Sequence, residues 1–102
     1  PVLAASNTWY KSSIGKETIT AVSIVNSHTP TGSEDEVWNA DTANSGDIKC
    51  YRTGTEIIIA GNGTGKIYAN EDSSHLFDGF EAVKFSEENL ILITQNGYIW
   101  LT

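Results

Sequence analysis

Short runs of β-branched and aromatic residues alternate with clusters of Gly, Asn, Ser and Thr along the whole chain. That is the pattern of strands separated by turns. Residues Thr18 to Val25, "TITAVSIV", predict a first strand with Thr20, Val22 and Ile24 on one face and Ile19, Ala21 and Val25 near the other. The next stretch, His28 to Glu36, is polar and broken by Pro30 and Gly32, so it predicts a long exposed loop. Val37 to Ala40 is a short apolar piece that can lie against a core through Trp38, and "DTANSGD" after it is a second turn. In Ile48 to Arg52, Ile48, Cys50 and Arg52 alternate with Lys49 and Tyr51, which suits a strand with an exposed edge; Thr53-Gly54 then turns the chain. Thr55 to Ala60 has the strongest β propensity, and Lys66 to Ala69 is expected to pair back on it. Leu90 to Thr94 and Tyr98 to Thr102 flank Gln95-Asn96-Gly97, the strongest short-range hairpin signal in the chain.

Only "NEDSSHLFDGF" carries a helical signal. Ser73 or Ser74 can cap it, Leu76, Phe77 and Phe80 fall on one face, and Gly79 ends it. The expected fold is therefore mainly β: a small antiparallel β-sandwich or barrel-like domain of roughly six to seven strands, with one short helix near residues 73–79. An N-terminal arm, residues 1–17, precedes a single β domain, residues 18–102.

A chain of 102 residues is one domain. Folding can bury roughly two-thirds of its unfolded surface, enough for a real core. A net charge of −7 with six basic residues argues against nucleic acid and anionic membranes as partners. The one cysteine, Cys50, allows no intrachain disulfide and reads as a small buried residue. No apolar run is long enough to span a membrane as a helix. The opening "PVLAASNTWYKSS" lacks the basic head and apolar centre of a secretory signal, so synthesis in the host cytoplasm is expected.

The stretch Gly61-Asn62-Gly63-Thr64-Gly65-Lys66 invites comparison with a phosphate-binding loop. A P-loop needs a Ser or Thr after its Gly-Lys to hold magnesium, and a helix to follow. Here Ile67 follows Lys66, Ala60 stands where the first Gly belongs, and the ensuing "KIYAN" has strand composition. Lys66 also stands where a dinucleotide fingerprint needs its third Gly. The glycines are expected to form a hairpin loop that uses positive φ. The oxygen-rich stretch from Asp41 to Arg52 has Ala43 and Arg52 where a calcium loop needs its third and twelfth ligands, so it reads as a turn. His28 and His75 lack the Cys or acid spacing of a zinc site. Nothing near Cys50 suggests an activated nucleophile. The pairs Glu71-Asp72 and Glu87-Glu88 are adjacent and point different ways on a strand or turn. No catalytic, metal or cofactor site is expected, and the chain is read as a non-enzyme. Asn62-Gly63-Thr64 is a glycosylation sequon that matters only in a eukaryotic secretory pathway.

Trp9 and Tyr10 differ from the other aromatics because they lie in the polar arm ahead of the first strand. They are the candidate interface residues. Two readings stand: the rings anchor into a neighbour's groove, as interface hot spots do, or the arm folds back on its own domain.

"TWYKSS", "TIT", "PTGSEDEVWNAD" and "SGDIKCYRTGTEIIIAGNGTGKIYANEDSSHLF" together resemble the segment that precedes the repeats in BspA-like leucine-rich-repeat proteins. Phage and prophage proteins of Gram-positive and gut bacteria carry the same segment. The resemblance runs from Trp9 to Phe80 and is most specific between Gly54 and Phe77. Family members continue into repeats of the "TSNVTDMSxMF" kind, which build a binding solenoid. This chain continues instead as "EAVKFSEENLILITQNGYIWLT", so the repeat-borne function does not carry over. The resemblance and the missing catalytic pattern imply a phage virion structural protein, a capsid-decoration, head-fibre or tail-associated module. Its expected partners are other virion proteins and itself as a homo-oligomer. The alternative is a bacterial cell-surface adhesion or glycan-binding module.

Overall fold

A computed structural model of the chain describes residues 3–4, 8–64, 67–68, 79–81 and 84–87. Among the described residues there are five strands: β1 (Ala21–Val25), β2 (Glu36–Asn39), β3 (Lys49–Thr53), β4 (Glu56–Ala60) and β5 (Lys84–Glu87). A single 3₁₀ turn, Lys16–Thr18, leads into β1. The protein is mainly β, as its turn-punctuated pattern predicts. The short helix expected near 73–79 and the hairpin of 90–94 with 98–102 lie outside the described residues.

The strands form one open mixed sheet in the order β2-β3-β4-β1-β5. β3 lies inside the sheet and not at an exposed edge, antiparallel to β2 on one side and to β4 on the other, and a tight hairpin at Gly54-Thr55 joins it to β4. Gly54 takes φ +60° at the first central position, the place a mirror-image hairpin turn reserves for glycine. The purely antiparallel expectation is corrected on the other side, where β1 pairs parallel with both β4 and β5. Nor does the described sheet close into a barrel or face a second sheet, because β2 and β5 end the order without meeting.

The hairpin expected between 55–60 and 66–69 is also overturned. Both sides of β4 are taken, by β3 and by β1, so no return strand can pair with it. Instead the amides of Gly61 and Gly63 donate to Val25 O and Asn26 O, carrying the parallel ladder past the end of β4. A Cβ at Gly61 would stand 2.9 Å from Asn26 O, so the first glycine serves close approach and not chain reversal. Of the run Ile57-Ile58-Ile59, the first and last face the core and are buried, whereas Ile58 points to the other face and is half-buried.

Val22, Ile24, Cys50, Ile57 and Ile59 lie on one face and are all buried. Their cover is irregular chain: Leu3, Ala4, Trp9, Ile19, Ala40, Ile48 and Ile67 complete the same cluster. Ile19 joins Val22 and Ile24 despite its opposite parity, because β1 begins only at Ala21 and the period of two does not reach back to it. Leu3 and Ala4 are tied in by Leu3 N donating to Tyr68 O (2.9 Å) and Ala4 N donating to Ala40 O (2.8 Å). Residues of the arm are thus part of the domain's own core.

Candidate interaction surface

The two residues singled out in the arm have different fates. Trp9 is fully buried and stacks on Phe80, with ring centres 6.0 Å apart and planes 12° from parallel. Its carbonyl accepts a hydrogen bond from Trp38 Nε1 (2.7 Å). Tyr10 is half-buried and meets Trp9, Trp38 and Phe80 edge-on, at 5.6, 6.0 and 5.7 Å. Its hydroxyl donates to Ile14 O (2.7 Å), and burial raises its pKa above the ordinary value. The ammonium of Lys16 lies 5.7 Å from the Tyr10 ring centre and 5.8 Å from that of Phe80, within reach of both π faces. Of the two readings of the arm, the chain adopts the fold-back. A ring with no exposed surface cannot serve as an anchor in a neighbour, so Trp9 is a core residue.

A polar lock holds the arm over the strands. Arg52, 9% exposed, donates from Nε to Glu36 Oε1 (2.6 Å) and from Nη1 to Gly54 O (2.7 Å), and its Nη1 stands 3.6 Å from Asp35. Glu36 also accepts from Ser12 Oγ and from the Ser13 amide (3.0 Å). The Ser12 hydroxyl, then Arg52, hold its carboxyl down at about 2. Glu36 and Arg52 face each other across β2 and β3. One signal for this pair was available in the sequence: Arg52 shares its parity with Ile48 and Cys50, a charge in the apolar phase. A charge placed there must find a partner.

The opposite face of the sheet is built differently. Register aligns Val37, Tyr51, Ile58, Ser23 and Ser86 in one row across all five strands. Val37 is 49% exposed and Ile58 is half-buried. Tyr51 is well covered, with the His28 ring 4.8 Å from its own. His28 belongs to the loop between β1 and β2, which winds around the carboxylate of Glu34. That carboxylate accepts from Thr31 N (2.7 Å), Thr31 Oγ1 and Gly32 N, and it lies 3.8 Å from His28 Nε2. The Thr31 amide does most to hold Glu34 down at about 2.

The remaining candidates for chemistry resolve as structural groups. Burial pushes the Cys50 thiol far above its ordinary pKa, so it is held as the un-ionised, weakly reactive form. The Gly61 and Gly63 amides are engaged by Val25 and Asn26 carbonyls, leaving them turned away from any phosphate; Gly65 and Lys66 lie outside the described residues. Burial works to raise Asp41, but Ser45 N, Ser45 Oγ and Gly46 N bond to its carboxylate and bring it to about 2. The stretch read as a turn is one, closed on its own aspartate. Among the described residues no group of three or more His, Cys, Asp and Glu could hold a metal ion. His28 packs on Tyr51, while His75 and Glu71-Asp72 lie outside the described residues. Asn62 is exposed and folds locally, accepting from Thr64 N and Oγ1 and donating to Asp47. Among the described residues no helix is long and apolar enough to cross a membrane.

No family model, curated protein or solved structure matches this chain.

Proposed function

We propose that the chain is a non-enzymatic structural protein of a phage virion, a decoration, head-fibre or tail-associated module that works by binding other proteins. The observation that carries this reading is the row of Val37, Tyr51, Ile58 and Ser23 on the face turned away from the core. Val37 stands half exposed at the rim of that row, beside Tyr51, with half-buried Ile58 beyond it. A firm, partly apolar platform with polar surroundings fits the anatomy of a protein interface better than that of a substrate cleft. The burial of Cys50 and the hydrogen bonds already made by the Gly61 and Gly63 amides and by Asp41 support the same reading. The acidic balance keeps the free subunit soluble before assembly. The six-to-seven-stranded sandwich expected from the sequence belongs to this proposal, with the platform as the inner face that a second sheet or a neighbouring protein covers.

Mass spectrometry of purified particles is the direct test. The chain should be present at a fixed ratio to the capsid or tail proteins, and Val37→Lys should lower that ratio while leaving the fold intact. Particles that lack the chain would end the virion reading. A surface module binding glycans is favoured by one observation, Tyr68 at 41% exposure, since sugars stack on exposed rings. Retention on a cell-wall glycan array that Tyr68→Ala abolishes would select that reading instead.

A further inference from the structure

The outer edge of β2 has a second use. Ala40 N donates to Ile48 O, one step beyond the Asn39–Lys49 pair, and this fixes the phase of the β2–β3 ladder. Trp38 therefore aims its N–H and C=O at β3, as Ala40 does its N–H, while Val37 and Asn39 turn theirs outward; the Ala40 carbonyl instead accepts from Ala4 N. The position of Lys11 agrees: its ammonium donates to Asn39 O at 2.8 Å, from the outer side. The rest of the arm is held on the core side, through Glu36 and Trp38. Along β2 itself it is the lysine head that reaches the outer side; beyond the end of the strand Leu3 bridges Asp41 and Ala4 N donates to Ala40 O.

We propose that this edge is a strand-addition site for a second copy of the chain, with Lys11 as its latch. The proposal rests on the reading of the protein as a binding module and specifies one way in which it binds itself. The edge is self-complementary. In an antiparallel pairing about a two-fold axis, Val37 faces Asn39 of the partner copy and Asn39 faces Val37, each pair exchanging both of its N–H···O bonds. Trp38 then lies opposite its own counterpart and Glu36 opposite Ala40; one step further the register sets Asp35 opposite Asp41, so the seam ends at Glu36 and Ala40. The ammonium of Lys11 must leave Asn39 O for the pairing to form. An edge held by a lysine is a recognised way to keep strands from associating at the wrong time.

Sedimentation of the full chain and of Lys11→Ala, from micromolar to millimolar concentration, tests this. The variant should dimerise with a dissociation constant about tenfold lower, the equivalent of one charge-assisted hydrogen bond no longer competing. Amide exchange at Val37 and Asn39 should slow in the dimer and nowhere else on β2. Adding Val37→Pro should return the variant to monomer, because the amide that it removes is not part of the β2–β3 ladder. Should that double variant fail to fold, the exchange measurement decides alone. A Lys11→Ala chain that associates no more tightly than the parent would overturn the proposal. So would a dimer whose Val37 and Asn39 amides exchange at the monomer rate. These outcomes are separate from the virion question, since a chain missing from particles can still pair through β2, and a virion protein with an inert β2 edge can still bind through its open face.

Discussion

The two faces of this sheet use the same strands and meet opposite fates. On one, Val22, Ile24, Ile57 and Ile59 are sealed, and even the charged Arg52 is drawn under cover. On the other, Val37 is half exposed and Tyr51 is protected by one histidine ring from a loop. The difference comes from what covers each. The sealed face recruits Leu3, Ala4, Trp9 and Ile67, residues that belong to none of the five strands. The open face has a ten-residue loop closed on its own glutamate. A sheet alone cannot form a core, so the face that captured the arm became the interior, and the other was left as a platform.

Trp9→Ala should give the largest effect and would break the comparison if it did not. Removing a fully buried indole costs about 3–5 kcal/mol, visible as a large loss in denaturant midpoint. A small loss would mean that the arm is not part of the core. Acid comes next. Glu34, Glu36 and Asp41 each ionise at about 2 in the folded chain, against ordinary values of 4.5, 4.5 and 3.8. A carboxyl depressed on folding stabilises fully above its unfolded pKa and loses that contribution as the pH falls towards the folded one. Unfolding midpoints should therefore hold steady above about pH 5 and drop between about 4.5 and 2. Glu36→Gln should also loosen the arm, read as altered Trp fluorescence, whereas Glu34→Gln on the open face should leave that signal alone.

Cys50→Ser tests the sealed face more gently. A hydroxyl in place of the buried thiol should cost about 1–3 kcal/mol, and the native thiol should react with an aromatic disulfide reagent only as fast as the chain unfolds. Val37→Ser should give the smallest change, within about 0.5 kcal/mol of the parent in stability, because the side chain it alters is already half in water. A loss comparable to that of Trp9→Ala would show that the platform is covered after all.

Some of this was legible in the residues. Thr53-Gly54 marked the turn, and the alternation in Ile48 to Arg52 placed Cys50 inward. Val22 and Ile24 were correctly paired on one face of β1. The arm was visible as a segment with two large rings, but its destination was not. Nothing local distinguishes a tryptophan that packs in cis from one that reaches a neighbour. The glycine cluster was read as a hairpin loop, and there its structural role was misjudged. A hairpin loop and a chain leaving beside a parallel strand use the same residues.

Alternation, turn residues and β propensity act over a few neighbours, and by themselves they determined that this chain would form short strands, a tight β3–β4 hairpin and one apolar side per strand. Tertiary structure alone decided that β1 slides in beside β4, in parallel and more than thirty residues away, and that the arm closes one face instead of the other. Those choices turn on loop-closure entropy weighed against the burial of Trp9, Leu3 and the isoleucines together. That sum belongs to the whole assembly, and no window of the sequence contains it.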